Sequence, residues 1–153
     1  MITLSAARVV DGTAEEVWKV ITDWEGQREW IPLTEVEVRS EQRVGVGTRC
    51  YALSGWQVGP VPIGLPDHFV VTEWNPPHRL VVQHVGRLFV GDGVFELTGR
   101  GRQTLVRLTE RVRTPAGRLG DLALAVAEPI MTFGILHSIS RLGTRVREVG
   151  SRP

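Results

Sequence analysis

Cysteine is nearly missing from this chain: Cys50 is the single thiol in 153 residues. One thiol cannot build an internal disulfide framework or a multi-cysteine zinc site, and it fits a reducing compartment. Excess charge of either sign is also missing, with 18 Lys and Arg against 17 Asp and Glu and a formal net charge of +1. A dedicated nucleic-acid binder carries a basic face or stripe, so this balance argues against one. The first residues, Met1-Ile2-Thr3-Leu4-Ser5, lack a basic start followed by a long apolar run, so no signal peptide is expected. No uncharged apolar stretch reaches the ~20 residues that cross a bilayer, and no membrane span is expected. Together these absences point to a cytoplasmic protein.

What remains is an ordinary globular composition, 42% hydrophobic and 23% charged. The length suits one domain, expected over residues 1–150, that buries about 70% of the surface its unfolded chain exposes. Among the basic residues Lys19 is the sole lysine. Five tryptophans (Trp18, Trp24, Trp30, Trp56 and Trp74) sit in the first half against one tyrosine. Large aromatics fill a core or line a pocket.

The hydrophobic period changes along the chain. Ile2 to Val10 is β-rich and stops at the turn pair Asp11-Gly12. Thr13 and Glu16 have the spacing of a capping box, and Val17, Val20 and Ile21 follow at helical spacing. Asp23 to Trp30 reads as a second short helix, closed by Pro32. The period then becomes two: Val36 and Val38 alternate with Glu35, Glu37 and Arg39. Further strands are expected at Thr48 to Trp56, His68 to Trp74, Leu80 to Val85, Leu88 to Thr98 and Thr104 to Arg113. Between two of them, Gly59 to Pro66 is too rich in Gly and Pro for a central strand, yet Val61, Ile63 and Leu65 make it too apolar for an ordinary loop. It reads as a candidate lid over a cavity, or as an edge or dimer contact. Leu119 to Val149 is helical in pattern, with Pro129 expected to kink or break it. Leu122, Val126, Ile130 and Phe133 form one apolar stripe before and around the proline. Ile135, Ile139, Leu142 and Val146 form another after it.

The expected architecture is therefore α+β: a strongly curved antiparallel sheet of six or seven strands gripping a long C-terminal helix, with two short helices after the first strand. Such a sheet can leave a space between itself and the helix, and the same layout can equally be filled.

Several local sequences carry a resemblance. They are Ala14-Glu15-Glu16-Val17-Trp18 before Ile21-Thr22-Asp23, then Trp30-Ile31-Pro32, then Gly45-Val46-Gly47-Thr48. They continue with Glu73-Trp74-Asn75-Pro76-Pro77-His78-Arg79-Leu80 and the long helix with Pro129 and its end at Leu142 to Glu148. In these and in the order of its elements the chain resembles the START-like, or SRPBCC, helix-grip superfamily, within it the polyketide cyclase/dehydrase and lipid transport group. The resemblance implies a deep apolar cavity between sheet and long helix. Relatives use it to hold lipids, polyketides, hormones or quinone-like molecules. The superfamily has no universal catalytic residue, so the resemblance assigns none here.

Strand parity sorts residues independently of that resemblance. In Thr104 to Arg113 the apolar face holds Thr104, Val106, Leu108, Glu110 and Val112, so Glu110 is a carboxylate on a buried face. Such a group is costly unless paired, hydrated or protonated. His84 shares a face with Leu80 and Val82 and is expected to point inward. For both residues a paired structural role stands beside a role as polar anchor or acid/base group in a cavity. Phe89, Phe95 and Leu97 are expected to point inward as core or cavity wall. Trp56 shares parity with Cys50, Ala52 and Ser54, subject to a bulge at Gly55, and Trp74 aligns with Val70 and Thr72. Trp18, Trp24 and Trp30 read as packing around the helical end, which leaves Trp56 and Trp74 as candidates for ligand contact. The candidate ligand-binding set is thus Trp56, Trp74, His84, Phe89, Phe95, Glu110 and Phe133.

Standard catalytic signatures are missing. Gly45-Val46-Gly47 lacks the third glycine and the acidic partner of a dinucleotide site and precedes a strand. Ser138 lacks the flanking glycines of a nucleophile elbow. His68, His78, His84 and His137 form no spaced metal motif, and no metal or cofactor is expected. The leading expectation is a binding or carrier protein for a small hydrophobic molecule. The alternatives are a polyketide aromatase/cyclase or dehydratase with Glu110 and His84 as acid and base, and an interaction module in which the apolar helix and the Gly/Pro segment bind a partner or form a homodimer.

Overall fold

The computed structural model describes residues 1–152, with the side chain of Gln57 excepted. Seven strands form one sheet: β1 (Ile2–Asp11), β2 (Thr34–Val38), β3 (Arg49–Val58), β4 (Val61–Asn75), β5 (Arg79–Val85), β6 (Val90–Arg100) and β7 (Gln103–Arg113). Their spatial order is β1-β7-β6-β5-β4-β3-β2, antiparallel throughout. Two helices complete the fold, α1 (Ala14–Ile21) and α2 (Gly117–Gly150), with one short 3-10 helix at Glu25–Glu29. The α+β helix-grip expectation holds, and the second short helix is the 3-10 turn.

Local chemistry fixes the start of α1. Glu16 donates its backbone N–H to Thr13 Oγ1 at 3.3 Å, and Thr13 donates its own to Glu16 Oε2 at 2.8 Å. This reciprocal capping box satisfies two backbone donors that the first turn leaves open. The inner face of α1 then buries Val17, Val20 and Ile21.

Two expectations change. Residues 59–66 do not form a loop over the cavity: from Val61 onward they are the outer half of β4, paired with β3 in a long hairpin through Val58↔Val61 and Ser54↔Leu65. The prolines are tolerated because β5 reaches β4 only from Phe69↔His84 onward. Residues 61–68 therefore have one free edge, where a missing backbone donor breaks no ladder.

In α2, helical geometry runs through Pro129 without interruption. Ala125, whose carbonyl loses its i+4 donor, is exposed, so solvent can satisfy it. The stripe Leu122, Val126, Ile130 and Phe133 does not enter the core, since all four are exposed. Beyond them Ile139, Leu142 and Val146 are buried as expected. The helix thus grips the sheet with its C-terminal half. By length and composition alone α2 is apolar enough to cross a membrane, with mean hydropathy 1.6 over its apolar window, although Asp121, Glu128 and Arg141 break its uncharged runs.

The core lies between the concave sheet face and the elements across it. Leu80, Val106 and Ile139 are fully enclosed there together with Trp30. Trp74 packs at its border, with ring centroids 5.1 Å from Trp18 and 6.4 Å from Trp24.

Candidate functional site

The concave face and α2 enclose a cavity of about 480 Å³. That size falls within the range of small-molecule sites. It stays open partly because the facing positions are small: Ala52 and Ser54 on β3, and Gly134 on α2. A methyl group added at Gly134 would touch nothing within 4 Å. The wall is mostly apolar and aromatic, with Trp30, Phe69 and Phe95 among its larger side chains.

One polar cluster interrupts this wall. His84 Nδ1 lies 2.6 Å from Asp67 Oδ2, and His84 Nε2 lies 3.0 Å from Glu110 Oε2. All three line the cavity, and their side chains retain only 14%, 17% and 22% of their exposure for His84, Asp67 and Glu110.

Strand register explains how these residues meet. Inward alternation along β5 presents Leu80, Val82 and His84 to the cavity. On β4, Leu65, Asp67 and Phe69 share the inward face, and Phe69↔His84 brings Asp67 alongside the imidazole. Glu110 lies on β7, two strands from β5, so β6 stands between them. There β6 carries glycine at Gly91, opposite His84, and at Gly93, opposite Glu110. A Cβ at Gly93 would sit 2.8 Å from Glu110 Oε1. The missing side chain is what lets the carboxylate cross.

Burial alone would lower the His84 pKa. The hydrogen bonds and charges of Asp67 and Glu110 outweigh it and push His84 up to about 10. The ring is therefore an imidazolium at neutral pH, with both N–H groups directed at carboxylates. Two buried polar atoms are unsatisfied: among the described residues, the acceptor Asp67 Oδ1 and the donor Trp30 Nε1 have no hydrogen-bond partner. Buried polar atoms of this kind are few in native proteins, and here both belong to lining residues.

Of the candidate ligand-contact residues, the structure brings His84, Glu110, Phe89 and Phe95 to the cavity. Trp56, Trp74 and Phe133 lie elsewhere. Trp56 is 66% exposed on the outer β3–β4 hairpin, and Trp74 sits in the tryptophan cluster. Phe133 is 70% exposed and stacks on His137. Trp24 and Trp30, read from sequence as packing alone, both pack and line the cavity. Asp67 escapes the sequence reading because Pro66 there ends a broken segment. The alternation of Phe69 and Val71, continued back through the prolines, places it inward.

Comparisons with known proteins agree with this geometry. The family model described as polyketide cyclase / dehydrase and lipid transport matches residues 1–143. Among solved structures, TTHA0849 from Thermus thermophilus is 21% identical, covering 98% of this chain and 100% of its own, with a TM-score of 0.77. The Zhui aromatase/cyclase from a Streptomyces species is 14% identical, covering 95% and 93%, with a TM-score of 0.74. The Aha1 dimer from Colwellia psychrerythraea is 16% identical, covering 89% and 92%, with a TM-score of 0.59. At these identities the likeness shows the fold. No curated protein matches the chain. With its sequence matched over nearly its whole length and its strands wrapped around a hollow beneath the long helix, the chain belongs to the polyketide cyclase/dehydrase and lipid transport family.

Proposed function

We propose that this protein binds and carries a small, largely apolar molecule in the cavity between sheet and α2. The observation that carries the reading is the cavity itself: about 480 Å³ of mostly apolar space with its charged groups gathered in one cluster. Affinity would come mainly from apolar burial, at roughly 25 cal/mol per Å², with Asp67, His84 and Glu110 orienting the ligand. The cytoplasm is the compartment this reading assumes, in keeping with the single buried thiol, Cys50. Native mass spectrometry of the protein purified from its own host, followed by solvent extraction, tests the reading. An adduct of a small apolar metabolite is expected. Protein that is ligand-free and takes up none from a host extract contradicts it.

A cyclase or dehydratase reading draws support from one observation, that His84 and Glu110 face the same cavity. An effective proton shuttle has a pKa near the working pH. His84 at about 10 remains protonated near neutrality and is a poor base there. The cluster is better suited to holding a ligand than to exchanging protons through its imidazole.

A homodimer is a further reading, favoured by the exposed apolar face of α2 and by Val58, Val61 and Ile63 on the β3–β4 hairpin. Light scattering during size exclusion decides it, a monomer at micromolar concentration counting against it.

A further inference from the structure

Charge inside the cavity is unbalanced. Asp67 and Glu110 contribute two formal negative charges and the His84 imidazolium one positive, while no lysine or arginine lines the wall among the described residues. Among the described residues the imidazolium is the one cationic donor in the wall, and both its N–H groups are occupied by the carboxylates. Of the other polar lining groups, the indole Nε1 of Trp30 is buried without a partner among the described residues, and four more are engaged internally. Gln27 Nε2 donates to the Ile21 carbonyl at 2.9 Å, Ser138 Oγ donates to the Gly134 carbonyl at 2.8 Å, and the hydroxyls of Thr34 and Ser54 bond each other at 2.9 Å. Acceptor capacity, by contrast, is left over at Glu110, whose Oε1 no hydrogen bond among the described residues engages, while Asp67 Oδ1 also lacks a partner there but is sealed beneath the wall near Gly86.

We propose that the Asp67–His84–Glu110 cluster selects ligands whose apolar body carries an ammonium or other strong N–H donor head, and rejects carboxylate and phosphate heads. The inference rests on the binding reading above and adds the chemistry of the ligand's polar end. A donor head meets the open Glu110 Oε1 and offsets the surplus negative charge in a medium where charge is costly to leave unpaired. An anionic head at the same place meets two carboxylates, with the His84 imidazolium already engaged by both. Charge interactions a few ångströms long in a low-dielectric pocket are large enough to decide between the two heads.

A matched series of fluorescent ligands with one fused-ring body tests this: anthracenemethylamine, anthracenemethanol and anthracenecarboxylate, titrated at neutral pH. The amine is expected to bind at least about tenfold tighter than the carboxylate. Replacing Glu110→Gln should narrow that ratio, and Asp67→Asn serves the same purpose if the first variant melts early by circular dichroism. A carboxylate that binds as tightly as the amine overturns the inference while leaving the cavity as the binding site. A ratio unchanged in both variants also overturns it, because the preference would then arise outside the cluster. If none of the three ligands binds, the binding reading itself falls and the head-group inference falls with it.

Discussion

His84 and Glu110 stand on strands that are not neighbours, yet His84 Nε2 lies 3.0 Å from Glu110 Oε2, because the strand between them carries Gly93 at the crossing point. The glycine therefore matters for what it omits. Neighbouring strands lie about 4.8 Å apart, so two side chains separated by a third strand meet only if that strand leaves the space free.

Gly93→Ala should disturb this pair directly. Its Cβ would arrive 2.8 Å from Oε1 and 3.0 Å from Oε2 of Glu110, and the flexible carboxylate must move away. Losing the Glu110 hydrogen bond removes one of the causes that hold the His84 pKa high. Titration of the His84 ring protons by NMR should show a midpoint below the wild-type value of about 10. An unchanged midpoint would mean that Asp67 alone sustains the imidazolium.

Stability should fall as pH rises through the neutral range. His84 binds its proton with an ordinary value of 6.5 when unfolded and about 10 when folded. Its contribution is fully present below about 6.5 and is lost as pH climbs toward about 10, since the folded state holds the extra proton across that window. The range below about pH 9 isolates the effect. Above it Cys50, ordinarily 9.0, ionises in the unfolded chain, while burial pushes it up to about 12 in the folded one. Thermal melts between these limits should decline for the wild type and flatten for His84→Gln. Equal slopes would remove His84 as the cause.

The two halves of α2 should respond differently to the same change. Ile139 is fully buried against the sheet, so Ile139→Ala should cost about 2–5 kcal/mol. Ile130, on the exposed half, should change stability by about 0.5 kcal/mol or less in Ile130→Ala. Urea melts of both variants check this. A large loss at Ile130 would show that its face is covered in solution, as a dimer would cover it.

Much of the fold was legible in the sequence because alternation and capping are local signals. Thr13 and Glu16 announced the start of α1, and parity placed Glu110 and His84 on the inward face. The exposed stripe of α2 was not legible, because periodicity says that Leu122, Val126, Ile130 and Phe133 share a face without saying what covers it. Asp67 was hidden by prolines that are harmless on a free edge. The crossing at Gly93 needs the register of three strands, which no single stretch of sequence contains.

If the ligand sits in the cavity, filling the cavity must expel it, and that is the most direct test. Ala52 is buried on β3, lines the hollow and has a side chain small enough to leave it open. An uncharged environment-sensitive dye, titrated by fluorescence, should bind one per wild-type chain. It should bind at least about tenfold more weakly to Ala52→Phe, provided that variant keeps a cooperative melt, since the new ring takes up ligand space. Equal binding by the two proteins would place the dye on the exposed apolar surface of α2 or the β3–β4 hairpin, and would contradict the account.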